Sequence, residues 1–164
     1  MEGGKPVSIE RVRAHLKTLG LEDRIHTFPV SSATVELAAR AVGCEPGRII
    51  KTLSFSDGRG GCILVLASGD ARIDNGKFKA AFRIKARMLS PEQVQAHTGY
   101  GVGGVCPFGV GDGVRVCMDQ SIRRYDIVYP AAGTSSSMVR LSVEELELAS
   151  GCREWVDVCK DMEV

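Results

Sequence analysis

The run Cys62-Ile63-Leu64-Val65-Leu66-Ala67 is apolar at every position. A strand wetted on one face alternates polar and apolar residues, whereas an unbroken apolar run bounded by turn residues must be covered on both faces. The run therefore reads as a central strand. Asp57-Gly58-Arg59-Gly60-Gly61 before it is a hairpin loop, and Ile49-Ile50-Lys51-Thr52-Leu53-Ser54-Phe55-Ser56 alternates as its partner strand should. Ile49, Leu53 and Phe55 share one face of that partner; Thr52, Ser54 and Ser56 share the other. Lys51 falls on the apolar face. An ammonium is costly to bury without a partner, so this lysine either snorkels to the sheet edge or sits in a cleft for a purpose.

Helices are punctuated clearly around this pair. Ser8 reads as an N-cap followed by Ile9, Val12, Leu16 and Leu19 at helical spacing, with Gly20 as the stop. Ile25 to Val30 is extended. A second helix starts near Thr34, turns Val35, Ala38, Ala39 and Val42 inward and ends at Gly43. Ser68-Gly69-Asp70 breaks the central strand, and Asp74 caps a helix with Phe78, Ala81 and Phe82 on its inner side. Ser90-Pro91-Glu92-Gln93 joins an N-cap, a proline at the first helical position and a capping-box glutamine, giving a helix that ends at Thr98-Gly99. Strands are predicted at Val114 to Asp119, Asp126 to Ala131 and Met138 to Leu141, then a capped helix from Ser142 to Gly151 and a last short strand from Arg153 to Val158. The pattern implies one α+β domain over residues 1–164, with a mixed or antiparallel sheet flanked by helices.

With 164 residues, 44% of them hydrophobic, the chain can bury one real core. A formal net charge of +1 excludes a globally basic nucleic-acid binder, so any contact with phosphate must come from a local patch. One such run exists: Lys77, Lys79, Arg83, Lys85 and Arg87 occur with no acid between them. It is either a solvated helix face or a docking patch for a polyanion. The six cysteines form no CxxC pair and no zinc spacing, which fits a reduced, cytoplasmic protein. Met1-Glu2-Gly3-Gly4-Lys5 has no apolar signal core, and the Cys62 to Ala67 run is far too short to span a membrane.

The stretch Gly99 to Gly109 holds five glycines and a proline. Its Gly99-x-Gly101-x-x-Gly104 matches a dinucleotide fingerprint in letters only, because a helix precedes it and Pro107 prevents one from starting behind it. What such a loop does offer is exposed backbone amides. Cys106 within it invites a nucleophile reading, with His97 or His26 as base. Asp70, Asp74 and Asp119 are conceivable metal ligands, but all three sit at strand ends or turns, where aspartate is ordinary. No serine occupies a G-x-S-x-G elbow.

Taken together, Lys51-Thr52-Leu53, Ser68-Gly69-Asp70, Arg72-Ile73-Asp74, Thr98-Gly99-Tyr100, Gly103-Gly104-Val105-Cys106-Pro107-Phe108-Gly109 and Ala131-Ala132-Gly133 resemble the YbaK/prolyl-tRNA synthetase-associated editing domain family. The resemblance runs from about Val35 to Leu148. It implies a barrel-like mixed sheet and a trans-editing hydrolase that deacylates mischarged aminoacyl-tRNA, such as Cys- or Ala-tRNA of the proline type, with neither metal nor cofactor. Lys51 would be the essential lysine, and Gly103 and Gly104 would supply backbone donors to the oxyanion. Phe28, Ser68, Gly69, Asp74, Thr98, Pro107, Ala132 and Gly133 would bind substrate, with Lys77 to Arg87 as the RNA patch. Mischarged tRNA is the implied partner and a synthetase a further one; no membrane is involved. The cysteinyl-tRNA deacylases of the family lead us to expect a serine near Ala131, an acid near Met138 and a tyrosine near Phe28, and this chain is more apolar at all three. Two rivals stay open on the residues alone: a non-catalytic tRNA- or nucleotide-binding module of the same fold, and a Cys106-dependent hydrolase.

Overall fold

The computed structural model describes residues 8–161; the reading of Met1 to Lys5 lies outside them. In chain order the elements are α1 (Ser8–Lys17), β1 (Ile25–Thr27), α2 (Val35–Val42), β2 (Ile49–Ser56), β3 (Cys62–Ser68), β4 (Ala71–Ile73), α3 (Asn75–Phe82), α4 (Pro91–Thr98), β5 (Val114–Asp119), β6 (Ile127–Pro130), β7 (Ser137–Val139), β8 (Leu141–Ser142), α5 (Val143–Ser150), β9 (Glu154–Val156) and β10 (Cys159–Asp161).

All seven residues of β3 are buried, because the two faces of the strand enter different cores. Cys62, Leu64 and Leu66 join Val12 and Leu16 of α1, Leu146 of α5 and the loop residues Tyr100, Cys106 and Phe108. Ile63, Val65 and Ala67 pack with Phe55, Phe78 of α3 and Val156. A smaller cluster sets Ala38 and Ala39 of α2 against Ile49 and Met138. The main sheet has six strands in the order β8-β6-β2-β3-β5-β9. β2 and β3 are antiparallel, while β2 with β6, β3 with β5 and β5 with β9 are parallel. The sheet curls into a half-barrel, the mixed α+β arrangement that the sequence implied. Two further antiparallel pairs, β1 with β7 and β4 with β10, lie outside it. No described helix is long and apolar enough to cross a membrane.

The caps act where the sequence placed them. Thr34, Asp74, Ser90 and Ser142 each accept a hydrogen bond from a first-turn amide, and Ser90 and Ser142 complete capping boxes with Gln93 and Glu145. Other expectations are corrected. Ser8 is already helical, so its cap position lies outside the described residues, and α1 stops at Lys17, leaving Leu19 exposed while Leu21 takes the buried place. Ala81 faces solvent. The strand expected over Met138 to Leu141 divides at Arg140, whose amide turns aside to the Arg24 carbonyl (3.0 Å). β4 and β10 had no strong sequence signal; each is three residues long.

The contrast between Leu64 and Leu19 can be measured. Leu64 is fully buried, so Leu64→Ala is expected to cost about 3 kcal/mol through lost burial and the cavity left behind. Leu19→Ala should stay within about 0.5 kcal/mol. Urea unfolding midpoints of the two variants check the difference.

Candidate functional site

The site originates in a break in pairing along β2. At the start of the strand, Ile49 and Ile50 pair with Tyr129 and Pro130 of β6. Toward its end, Phe55 bridges to Met88, the Ser56 amide donates to the Arg87 carbonyl (2.9 Å), and the Leu89 amide donates to the Ser54 carbonyl (3.0 Å). Between these partners, Lys51 to Leu53 pair only with β3 among the described residues. A cavity of about 300 Å³ opens at that gap. α2 contributes Val35 and Ala38 to its wall, α4 contributes Val94, and the glycine loop contributes Val102, Gly103 and Val105.

Lys51 lines this cavity half-buried, opposite Ala67 in the sheet register. Burial lowers its pKa from the usual lysine value, against the opposing pull of Cys159, Asp70 and Glu36. No ion pair holds it among the described residues. Thr52 beside it also lines the cavity, and its hydroxyl oxygen is buried with no hydrogen-bond partner among the described residues. The sequence places Thr52 on a polar strand face and within the Lys51-Thr52-Leu53 motif; unlike Ser56, whose hydroxyl accepts from the Gly58 amide (3.0 Å), it stands at the gap in pairing.

The two glycines expected to present amides differ. Gly103 lines the cavity at φ +84°, a backbone region that side chains rarely adopt, and its amide makes no hydrogen bond among the described residues. Gly104 donates its amide to the Gly101 carbonyl (3.1 Å), within the loop itself. A Cβ on Gly104 would come within 2.5 Å of the Gly133 backbone, so this glycine permits two chain segments to touch.

The remaining expected residues fall into two groups. Phe28 lies in a second cavity of about 210 Å³ that shares Tyr129 and Met138 with the first. Ser68, Gly69, Asp74, Thr98, Pro107, Ala132 and Gly133 do not line the main cavity. Ser68 is buried, donates to Gly47 and Asp70, and receives a bond from Arg124. Gly69 abuts the Pro46 carbonyl, Asp74 caps α3, and Thr98 donates to Val94 (2.8 Å) while accepting from Tyr100 (3.1 Å). Ala132 is fully buried, and a Cβ on Gly133 would come 2.9 Å from the Ser8 carbonyl.

The Cys106 nucleophile reading is corrected here. Its thiol is fully buried, and burial pushes its pKa up to about 12, so at neutral pH it is neither ionised nor accessible. Its partners are Tyr100 and Phe108; His26 and His97 do not bond it. The three aspartates are also committed. Asp70 is bonded by Arg124, Ser68 and Tyr125, Asp119 accepts from the amides of Ser121 and Val158 (both 2.8 Å), and Asp74 is a cap. Among the described residues no group of three or more His, Cys, Asp or Glu could hold a metal ion.

The basic run is not one helix face. Lys77 pairs with Asp157 (3.1 Å) and donates to the Cys159 carbonyl. α3 ends at Phe82, with Arg83 as a left-handed cap at φ 65°. Beyond it Arg83, Lys85 and Arg87 are exposed, while Ile84 and Ala86 between them are half-buried against the core. This alternation leads straight into Met88 and Leu89 at the cavity.

Comparison with known proteins adds to this geometry. The model of a family described as the aminoacyl-tRNA editing domain matches residues 30–148. The "Uncharacterized protein YwhH" of Bacillus subtilis is 44% identical over 157 residues, 96% of this chain and 100% of that protein. The "Putative Cys-tRNA(Pro)/Cys-tRNA(Cys) deacylase EbsC" of Enterococcus faecalis is 29% identical over 120 residues, 72% of this chain and 73% of the other. The crystal structure of "a putative trans-editing enzyme for prolyl tRNA synthetase" superposes with a TM-score of 0.84 at 33% identity, covering 96% of this chain and 99% of its own.

The lysine in the gap makes a pH-dependent prediction. Its folded pKa lies below the unfolded value near 10.5, so the unfolded chain binds the extra proton and stability rises with pH between the two values. Lys51→Met is therefore expected to melt at a higher temperature than the parent at pH 7. The advantage should shrink as pH approaches 10.5. Melting curves at pH 7 and pH 10 test this.

Proposed function

The chain belongs to the aminoacyl-tRNA editing domain family, and we propose on that premise that it is a free-standing, trans-editing hydrolase of mischarged aminoacyl-tRNA. Its substrate is a proline-type tRNA carrying a small amino acid such as cysteine or alanine. The observation that carries the reading is that Gly103, whose backbone amide has no hydrogen-bond partner, and Lys51, held in no ion pair, both line one cavity of about 300 Å³ among the described residues. Ester hydrolysis needs a donor aimed at the developing oxyanion, and a fixed amide in a largely apolar cavity supplies one without reorganising. Water attacks the acyl carbon, the Gly103 amide donates to the oxyanion that forms, and collapse of that intermediate breaks the carbon–oxygen bond to the ribose: the amino acid leaves as its carboxylate and a proton from the water passes to the ribose oxygen. Lys51 holds the terminal phosphate or nucleotide by charge. Ala131 and Met138 bridge to each other and line the cavity, which suits a small apolar aminoacyl group.

The acceptor strand reaches the cavity along Arg83, Lys85 and Arg87. Lys85 and Arg87, two residues apart beyond the left-handed cap at Arg83, are close enough together for successive phosphates to be met. Lys77, occupied by Asp157, has a lesser share in this path.

Two measurements test the proposal. In single-turnover assays with Cys- and Ala-tRNA of the proline type, Lys51→Ala is expected to lose more than a hundredfold in rate with its circular dichroism unchanged, and Cys106→Ser to keep its rate. Tight tRNA binding without hydrolysis by the parent protein would identify a binding module instead. Lys85→Glu with Arg87→Glu should raise KM, leave kcat within about twofold, and flatten the slope of log affinity against log salt by about 0.7 for each phosphate that is no longer neutralised. An unchanged slope would place the RNA elsewhere.

A further inference from the structure

Arg11 of α1 crosses to the glycine loop and grips both of its ends. Its Nη2 donates to the carbonyl of Thr98, where α4 gives way to the loop, and to the carbonyl of Gly109 (3.0 Å), where the loop closes. The guanidinium carbon lies 4.5 Å from the centroid of the Tyr100 ring, and the Tyr100 hydroxyl donates to the Phe108 carbonyl. Gly99 lies close under the guanidinium, and Gly109 is in ordinary contact with the Arg11 side chain. A Cβ on Gly99 would come 2.1 Å from Arg11 Nη1, and one on Gly109 would sit 3.5 Å from the Arg11 side chain. The helix does not need Arg11 in order to dock, since Val12 and Leu16 are fully buried in the core.

We infer that Arg11 is a positioning residue: by tying the two ends of the loop together it fixes the place of the loop backbone that lines the cavity at Gly103. The inference rests on the deacylase reading of that cavity. Arg11 lies outside residues 30–148 that match the family model, so the clamp comes from a helix the matched segment does not include. A planar guanidinium can bond two carbonyls and stack on a ring at once; a lysine ammonium in the same place loses that geometry.

The test compares Arg11→Ala and Arg11→Lys with the parent in three readouts. Hydrogen exchange at the amides of Tyr100 and Gly104, which donate to Thr98 and Gly101, should accelerate about tenfold in both variants. The kcat for mischarged tRNA should fall 10- to 100-fold while KM stays within about threefold, since a displacement on the order of 1 Å can cost a hundredfold in rate. Added guanidinium chloride at tens of millimolar should restore much of the kcat of Arg11→Ala and none of that of Arg11→Lys, whose ammonium fills the slot. Parental kcat in Arg11→Ala overturns the inference whether or not exchange changes, as does a fall that guanidinium does not relieve. If the parent hydrolyses none of the substrates, it is the deacylase reading that fails, and exchange alone still reports whether Arg11 clamps the loop.

Discussion

A strand inside a sheet has donors and acceptors on both sides, and the structure is organised around one place where a side goes unmatched. β2 is paired throughout with β3, yet its other edge is shared between β6 and the segment around Met88, and neither covers Lys51 to Leu53. Unpaired backbone in a dry interior would be costly, so the gap has to open to solvent or to a ligand. The cavity is the form this takes. Lys51 tolerates its partial burial because the same gap keeps a path to water.

The second constraint is how closely backbones approach around the opening. Gly104 rests on Gly133, and Gly133 rests on the first turn of α1. A methyl group at either point of approach would force the segments apart. Three stretches distant in sequence thus meet with nothing but main chain between them, and the loop bearing Gly103 is located by that stack as well as by its own turn. This is why a glycine-rich segment, with many accessible conformations when unfolded, presents one defined edge to the cavity.

Much of this was legible in the sequence because the signals were local. The apolar run of β3, the alternation of β2, the caps at Thr34, Asp74, Ser90 and Ser142, and the misfit of Lys51 all act within a few residues of where they are written. What was not legible depends on contacts between distant segments. Nothing near Gly104 tells that it abuts Gly133, and nothing near Thr52 tells that its neighbours on the far edge are missing. β4 and β10 are too short to carry a pattern and exist because each completes the other. Ser68 and Asp70 bear letters that suit a binding site but are tied to Gly47, Arg124 and Tyr125, which lie 21 to 56 residues away.

The burial of the cysteines has a chemical consequence of its own. All six are free, and burial raises the pKa of each, to about 11 for Cys62 and about 12 for Cys106, Cys117 and Cys159. Disulfide exchange and peroxide oxidation both proceed through the thiolate, and roughly five pH units below such a pKa only on the order of one thiol in 100,000 is ionised. A cysteinyl ester brought to the cavity would carry the most reactive sulfur in its surroundings. The four buried thiols around it, Cys62, Cys106, Cys117 and Cys159, would be poor partners for that sulfur, because none of them supplies the thiolate that a mixed disulfide needs.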